Sequence, residues 1–78
     1  MTGHLLGGAG AMGLFAAVLA IRDGVVPPTI NLANIDPVCA ATGLNFTPNT
    51  AVRKTVRAAL ANSFGFGGTN ASLVVSAL

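Results

Sequence analysis

The chain has 78 residues, of which 53% are apolar and only 8% are charged, against about 25% in ordinary soluble domains. Its net charge of +2, with no tryptophan or tyrosine, argues against a nucleic-acid-binding surface. The single cysteine, Cys39, excludes an intrachain disulfide framework and fits a reducing compartment. So few charges cannot cover a free-standing domain, and we expect the chain to pack against a larger body.

The first predicted element is a helix over residues 3–22, which is either regular throughout or irregular in its glycine-rich first turn or two. Thr2 is placed to cap its N-terminus, Arg22 suits the negative pole at its end, and Gly24 supplies a stop. Residues 5–21 are uncharged and show no polar stripe. We therefore expect this helix to be buried between two layers of structure.

The same apolar run raises the question of a membrane. It is slightly shorter than the roughly 20 residues needed to span a bilayer, and glycines dilute it. Its positive charge, at Arg22, follows the run instead of preceding it as in a signal peptide. We expect no membrane insertion and a cytoplasmic location, with a membrane-associated peptide as the alternative.

Two further regions follow the helix. Residues 23–50 are predicted to be a connector, because prolines and asparagines interrupt them too often for long regular structure. Residues 55–78 are predicted to form two antiparallel strands, over 56–62 and 71–77, joined by a glycine-rich turn. The basic residues before the first strand are interpreted as solvated charges; they are Arg53, Lys54 and Arg57.

Residues 8–13, Gly-Ala-Gly-Ala-Met-Gly, match the dinucleotide-binding pattern G-x-G-x-x-G. The pattern requires a preceding strand and a later acidic residue at the end of a second strand. No strand is predicted before residue 8, and the run before Asp36 contains two prolines. We interpret these glycines as close-packing residues of a helix.

Three side chains are candidates for chemistry. His4, the only histidine, is either a capping or core residue or an uncharged donor that polarises a carbonyl from the start of the helix. Glycines around Phe66 either make a tight hairpin or leave its backbone amide open to a ligand. Cys39 lies in a proline-rich segment with no cation to activate it, and we interpret it as a passive thiol.

Three stretches carry a family resemblance: Met1-Thr2-Gly3-His4-Leu5-Leu6-Gly7, then Val-Pro-Pro-Thr-Ile-Asn-Leu at 26–32, then Asn-Ser-Phe-Gly-Phe-Gly-Gly-Thr-Asn at 62–70. With these motifs, in this order and spacing, the chain resembles the C-terminal end of a β-ketoacyl-acyl carrier protein synthase of the elongating type. The resemblance implies an α/β fold, the C-terminal portion of a thiolase-like layered architecture. It also implies that residues 1–78 are one piece of a longer synthase domain.

The resemblance further implies decarboxylative Claisen condensation in fatty acid elongation. In that family a cysteine takes the acyl chain as a thioester, and two histidines bind the malonyl thioester carbonyl and stabilise its enolate. His4 corresponds to the second of these histidines, and Phe66 to a gating residue whose amide forms half of the oxyanion hole. The supporting residues implied are Gly65, Gly67 and Gly68 for loop mobility, Phe64 for the pocket, and Thr69 and Asn70 for the turn.

The implied partners are acyl carrier protein with acyl and malonyl thioesters, the remainder of the synthase domain, and a second copy in a homodimer. No cofactor and no metal are expected. The nucleophilic cysteine and the first histidine have no counterpart in these 78 residues, so we expect the chain alone to be inactive. The alternative is a non-catalytic fragment or pseudo-enzyme subunit that only packs or associates.

Overall fold

The computed structural model describes residues 2–78; Met1, which opens the first motif, lies outside the described residues. Helices and short strands occupy residues 6–53, and two longer strands follow. The elements are a 3₁₀ turn at Leu6–Gly8, α1 at Ala9–Asp23, β1 at Val25–Val26, α2 at Pro37–Ala40, β2 at Val52–Arg53, β3 at Ala58–Phe64 and β4 at Asn70–Ser76.

The predicted alternative of an irregular, glycine-rich start is confirmed, whereas a regular helix from residue 3 is wrong. The α-helix begins at Ala9 and not at residue 3, because Gly3 and Leu6 have left-handed backbones with φ of +73° and +53°. A right-handed helix cannot contain such residues. The predicted cap at Thr2 is wrong for the same reason: its hydroxyl donates to the carbonyl of Gly3, at 3.3 Å.

The predicted stop at Gly24 is confirmed. Its φ of +63° is left-handed, and its N–H donates to the carbonyl of Ala20 at 3.0 Å, which closes the last turn of α1. Lys54 N–H donates to the Gly24 carbonyl at 2.9 Å and so ties the helix end to β2. Hydrogen bonds from Arg22 hold the pKa of the exposed Asp23 carboxyl below its usual value.

The connector contains more regular structure than predicted, although its elements are short. β1 and β2 pair antiparallel, with Val25 opposite Arg53. α2 forms because Pro37 suits the first helical position and Asp36 Oδ1 accepts from Val38 N–H at 2.8 Å. The prediction that no long regular element occurs here is confirmed.

Residues 25–53, here called the connector lobe, are tied together by hydrogen bonds between distant residues. Thr29 Oγ1 donates to the Phe46 carbonyl at 2.6 Å, and Thr29 N–H donates to the Thr47 carbonyl at 2.7 Å. The Asn49 side chain makes two hydrogen bonds to the Leu32 backbone: its Oδ1 accepts from the N–H at 3.2 Å, and its Nδ2 donates to the carbonyl at 2.8 Å. Within residues 2–78, Thr47 is the only buried polar side chain, at 7% exposure.

The antiparallel strand pair is confirmed, with shifted bounds. β3 and β4 pair from Ala58 opposite Ser76 to Phe64 opposite Asn70. The strands therefore run closer to the turn than predicted, because the turn needs only residues 65–69. Gly65 N–H closes it by donating to the Thr69 carbonyl at 2.7 Å.

One layer covers α1. A β-carbon added at Gly10 would lie 3.6 Å from Ser63 Cβ, so the beginning of α1 packs closely on the end of β3. No α1 residue is buried, and none of the hydrophobic side chains in residues 2–78 is buried. The expectation of a second covering layer therefore stays a prediction.

The span Leu6–Asp23 is the one helical stretch in the described part of the chain that has the length and apolar composition to cross a bilayer. Buried core helices pass the same test. The glycine pattern at 8–13 lies in this helical stretch, and no strand precedes it within residues 2–7.

Candidate active site

His4 sits on a tightly folded segment directly before the 3₁₀ turn. The left-handed backbones of Gly3 and Leu6 bend the chain so that the Leu6 N–H donates to His4 Nδ1 at 3.2 Å. The imidazole is otherwise exposed. The local backbone thus fixes one ring nitrogen and leaves the other open.

This hydrogen bond determines the tautomer of a neutral ring. Because Nδ1 accepts, the proton of an uncharged His4 imidazole lies on Nε2. The Nε2–H group then points away from the backbone that holds Nδ1. His4 can therefore offer a single oriented hydrogen-bond donor to a ligand oxygen.

The turn at residues 65–69, here called the Phe66 turn, is open to its surroundings. The Phe66 side chain is fully exposed, and its N–H donates to no other described residue. Gly67 and Gly68 both have φ of +82°, a conformation that side chains rarely adopt. At Gly65 an added β-carbon would lie 3.3 Å from the Thr69 carbonyl, so glycine also fits this close approach best.

The segment with His4 and the Phe66 turn adjoin two elements that pack on each other. His4 precedes α1, and the Phe66 turn follows β3; the contact of Gly10 with Ser63 joins the two elements close to these ends. Phe64 and Asn70 form the last strand pair before the turn. The six residues predicted around Phe66 thus occupy one turn and its root; they are Phe64, Gly65, Gly67, Gly68, Thr69 and Asn70.

Cys39 lies elsewhere. It is an exposed free thiol in α2, not in an irregular loop, and it lines a cavity of about 210 Å³ in the connector lobe with Ile35 and Phe46. Residues 2–78 contain no cluster of three or more histidine, cysteine or acidic side chains suited to a metal.

Two features of the site escaped the sequence. One is the left-handed backbone of Leu6, whose amide orients His4. Leucine rarely adopts this conformation, so the sequence does not predict it. A side-chain hydrogen bond joins Ser72 to Asn62 across the hairpin at 2.7 Å. Correct strand bounds would have placed these two residues opposite each other, whereas the predicted bounds did not.

Comparison with known proteins agrees with the motifs. Residues 1–33 match the family model of the β-ketoacyl synthase C-terminal domain. The chain is 54% identical over 76 residues to 3-oxoacyl-[acyl-carrier-protein] synthase 2 of Coxiella burnetii, covering 97% of this chain and 18% of that protein. It is 50% identical over 78 residues to the mitochondrial 3-oxoacyl-[acyl-carrier-protein] synthase of Arabidopsis thaliana, covering 99% of this chain and 16% of that protein.

A solved structure gives the same answer. The chain resembles the ishigamide ketosynthase/chain length factor with a TM-score of 0.81 and 43% identity, over 90% of this chain and 17% of that one. The chain thus spans less than a fifth of the length of these relatives. In sequence and in structure the chain is similar to β-ketoacyl synthases, and its fold corresponds to a C-terminal portion of their thiolase-like α/β fold.

Proposed function

We propose that residues 1–78 form the C-terminal portion of a β-ketoacyl-acyl carrier protein synthase domain. The domain condenses an acyl thioester with malonyl-acyl carrier protein in fatty acid elongation. This chain supplies one catalytic histidine and part of an oxyanion hole. The observation that carries the proposal is the oriented, exposed His4 imidazole, whose Nδ1 accepts from Leu6 N–H at 3.2 Å.

His4 acts on the malonyl thioester. Its Nε2–H donates to the thioester carbonyl oxygen, while the bond between the malonyl carboxylate and its neighbouring carbon breaks. The electron pair of that bond moves toward the carbonyl oxygen as carbon dioxide leaves, giving an enolate. The hydrogen bond from a donor already aimed at this oxygen strengthens as negative charge develops there, and this lowers the barrier to decarboxylation.

The Phe66 turn acts on the acyl thioester. The cysteine thiolate attacks the acyl carbonyl during acylation, and the enolate carbon attacks it during condensation. Each attack moves the π electron pair of the C=O bond onto its oxygen, and the free Phe66 N–H stabilises that charge by donating to it. When the C=O bond re-forms, the carbon–sulfur bond breaks, and the thiolate of acyl carrier protein leaves in the first step and that of the cysteine in the second. The glycines on both sides let the backbone approach a ligand closely. The Phe66 ring, exposed beside this amide, controls entry of the acyl chain.

The remaining parts of the reaction belong to the rest of the synthase. The acylated cysteine and a second histidine come from that remainder, because Cys39 lies in the connector lobe away from the Phe66 turn. Acyl carrier protein delivers both thioesters, and no cofactor is needed. We place the enzyme in the cytoplasm as a homodimer.

A second candidate is a non-catalytic subunit that only packs against its partners. The lack of any buried hydrophobic side chain in residues 2–78 favours a packing role of some kind. That observation does not distinguish a catalytic from an inert segment. The orientation of His4 favours the catalytic one.

The test is His4→Ala in the synthase that contains this segment, with two steps measured separately. Carbon dioxide release from malonyl-acyl carrier protein reports decarboxylation, and labelled acyl transfer reports acylation of the cysteine. We expect decarboxylation to fall by about 10²–10³-fold, the usual effect of removing one oxyanion donor. Acylation is expected to stay within about twofold.

His4→Gln serves as the matched variant, because its amide retains a hydrogen-bond donor but not the imidazole. It should recover part of the lost decarboxylation. Equal loss of both steps in His4→Ala would show that His4 is structural. Unchanged decarboxylation would favour the packing subunit.

A further inference from the structure

Asn62 and Ser72 face each other across the hairpin, two strand pairs before Phe64 and Asn70, the pair that leads into the Phe66 turn. Ser72 Oγ donates to Asn62 Oδ1 at 2.7 Å. Within residues 2–78, this is the only hydrogen bond between side chains of different elements, since the other side-chain pair, Arg22 and Asp23, are neighbours in α1. Such a cross-strand pair adds a restraint beyond the backbone ladder.

The Phe66 turn has few restraints of its own. Gly67 and Gly68 carry no side chain, and the exposed Phe66 ring packs on nothing within the described part of the chain. Its internal backbone bond is the one from Gly65 N–H to the Thr69 carbonyl. The direction of the Phe66 N–H therefore depends on how firmly the root of the turn is held.

The root is held on both faces of β3. Ser63 packs against Gly10 of α1 on one face. Since successive strand residues point to opposite faces, Asn62 lies on the other face, and there its side chain is tied to Ser72 of β4. The first contact holds the end of β3 against α1, and the second joins β3 to β4 on the opposite face.

We propose that Asn62 and Ser72 are positioning residues for the Phe66 amide. The inference rests on the proposed role of that amide in the oxyanion hole. The bond between their side chains keeps the Phe66 N–H aimed at the acyl carbonyl oxygen. Loss of the bond leaves the hairpin folded, because the backbone ladder persists, but lets the amide drift from its productive direction.

The experiment compares paired variants in the full synthase. Ser72→Ala and Asn62→Leu remove the bond, whereas Ser72→Thr and Asn62→Asp retain a hydroxyl donor and an oxygen acceptor. Ser76→Ala is the matched control: Ser76 lies on the same face of β4, further from the turn, and its hydroxyl bonds to no described side chain. The readouts are kcat and KM for acylation, malonyl decarboxylation, and Tm.

We expect Ser72→Ala and Asn62→Leu to lower kcat for acylation by about tenfold with KM unchanged, since small misplacement of a catalytic group has effects of this order. Decarboxylation, which depends on His4, should stay within twofold. Ser72→Thr and Asn62→Asp should restore acylation, and Ser76→Ala should match the unmodified synthase. The double variant should be no worse than either single variant, because both lose the same bond.

Unchanged acylation in Ser72→Ala would overturn the positioning role. A parallel fall of acylation, decarboxylation and Tm would also overturn it, by showing a general structural role. Failure of the proposed role of the Phe66 amide gives a different result, because then Phe66→Pro, which removes this N–H, also leaves acylation intact.

Discussion

The connector lobe and the His4 end of the molecule are held in different ways. In the connector lobe, Thr29 and Asn49 make hydrogen bonds to residues 17 positions away in the sequence. At the other end, His4 and the Phe66 turn are exposed and are supported by bonds over a few residues, such as Leu6 N–H to His4 Nδ1. The part of the chain with the most long-range hydrogen bonds is therefore not the part for which we propose catalysis.

The difference follows from what each region has to do. The connector lobe closes on itself with short polar side chains that satisfy irregular backbone. The His4 end presents donors, the His4 Nε2–H and the Phe66 N–H, that would be useless if the chain satisfied them internally. Such groups must be held by their neighbours while their hydrogens stay free.

The largest expected effect comes from removing all covering structure. Residues 1–78 produced alone should show no cooperative thermal unfolding and should self-associate, because no hydrophobic side chain in residues 2–78 is buried and Phe15, Leu60 and Val74 are more than half exposed. Differential scanning calorimetry and light scattering measure this. A monomer that unfolds cooperatively would contradict the need for a covering layer.

Asn49→Ala should destabilise the connector lobe and leave the rates of acylation and decarboxylation unchanged. It removes the two bonds to Leu32 and places alanine at a left-handed φ of +59°, for a loss of about 2 kcal/mol in stability. Asn49→Gly separates the effects, because glycine accepts this φ and loses only the bonds. Thermal unfolding and acylation rates of the full synthase measure both properties.

Asn34→Ala is the control for this substitution, since Asn34 is exposed and its side chain bonds to no described residue. Acylation and decarboxylation should be unchanged in all three variants at temperatures below unfolding. A selective fall in decarboxylation with Asn49→Ala would show that the connector lobe takes part in the chemistry.

Phe66→Ala should have the opposite effect to Asn49→Ala: it should change substrate preference and leave stability almost unchanged. Stability should change by less than about 0.5 kcal/mol, because the exposed ring packs on nothing within residues 2–78. The acyl chain-length preference should shift severalfold, since the substitution removes the ring that we propose as a gate and retains the amide. Competition between labelled acyl chains of different length measures the shift, and an unchanged profile would count against the gate.

Several features of the fold could be predicted because their causes are local. The stop at Gly24 needs only a residue that accepts a left-handed backbone. The antiparallel strands follow from two apolar runs flanking a glycine-rich turn. The gathering of Phe64, Phe66 and Asn70 at one turn and its root then follows from their spacing.

Other features could not be predicted because their causes are distant or unusual. The start of α1 at Ala9 depends on Leu6 adopting φ of +53°, against the preference of its residue type. The bonds of Asn49 to Leu32 join segments that the sequence leaves unrelated. The predicted strands, over 56–62 and 71–77, lie further from the turn than β3 and β4 do. They therefore do not place Asn62 opposite Ser72.

The most direct test of the central claim is a chimera. In it, residues 1–78 replace the 76-residue matching segment of the Coxiella burnetii 3-oxoacyl-[acyl-carrier-protein] synthase 2. Condensation of an acyl thioester with malonyl-acyl carrier protein is then measured with His4 intact and with His4→Ala. We predict condensation within about tenfold of the parent enzyme, and its loss at the decarboxylation step in His4→Ala. A folded chimera that acylates its cysteine but fails to condense with His4 intact would contradict the account.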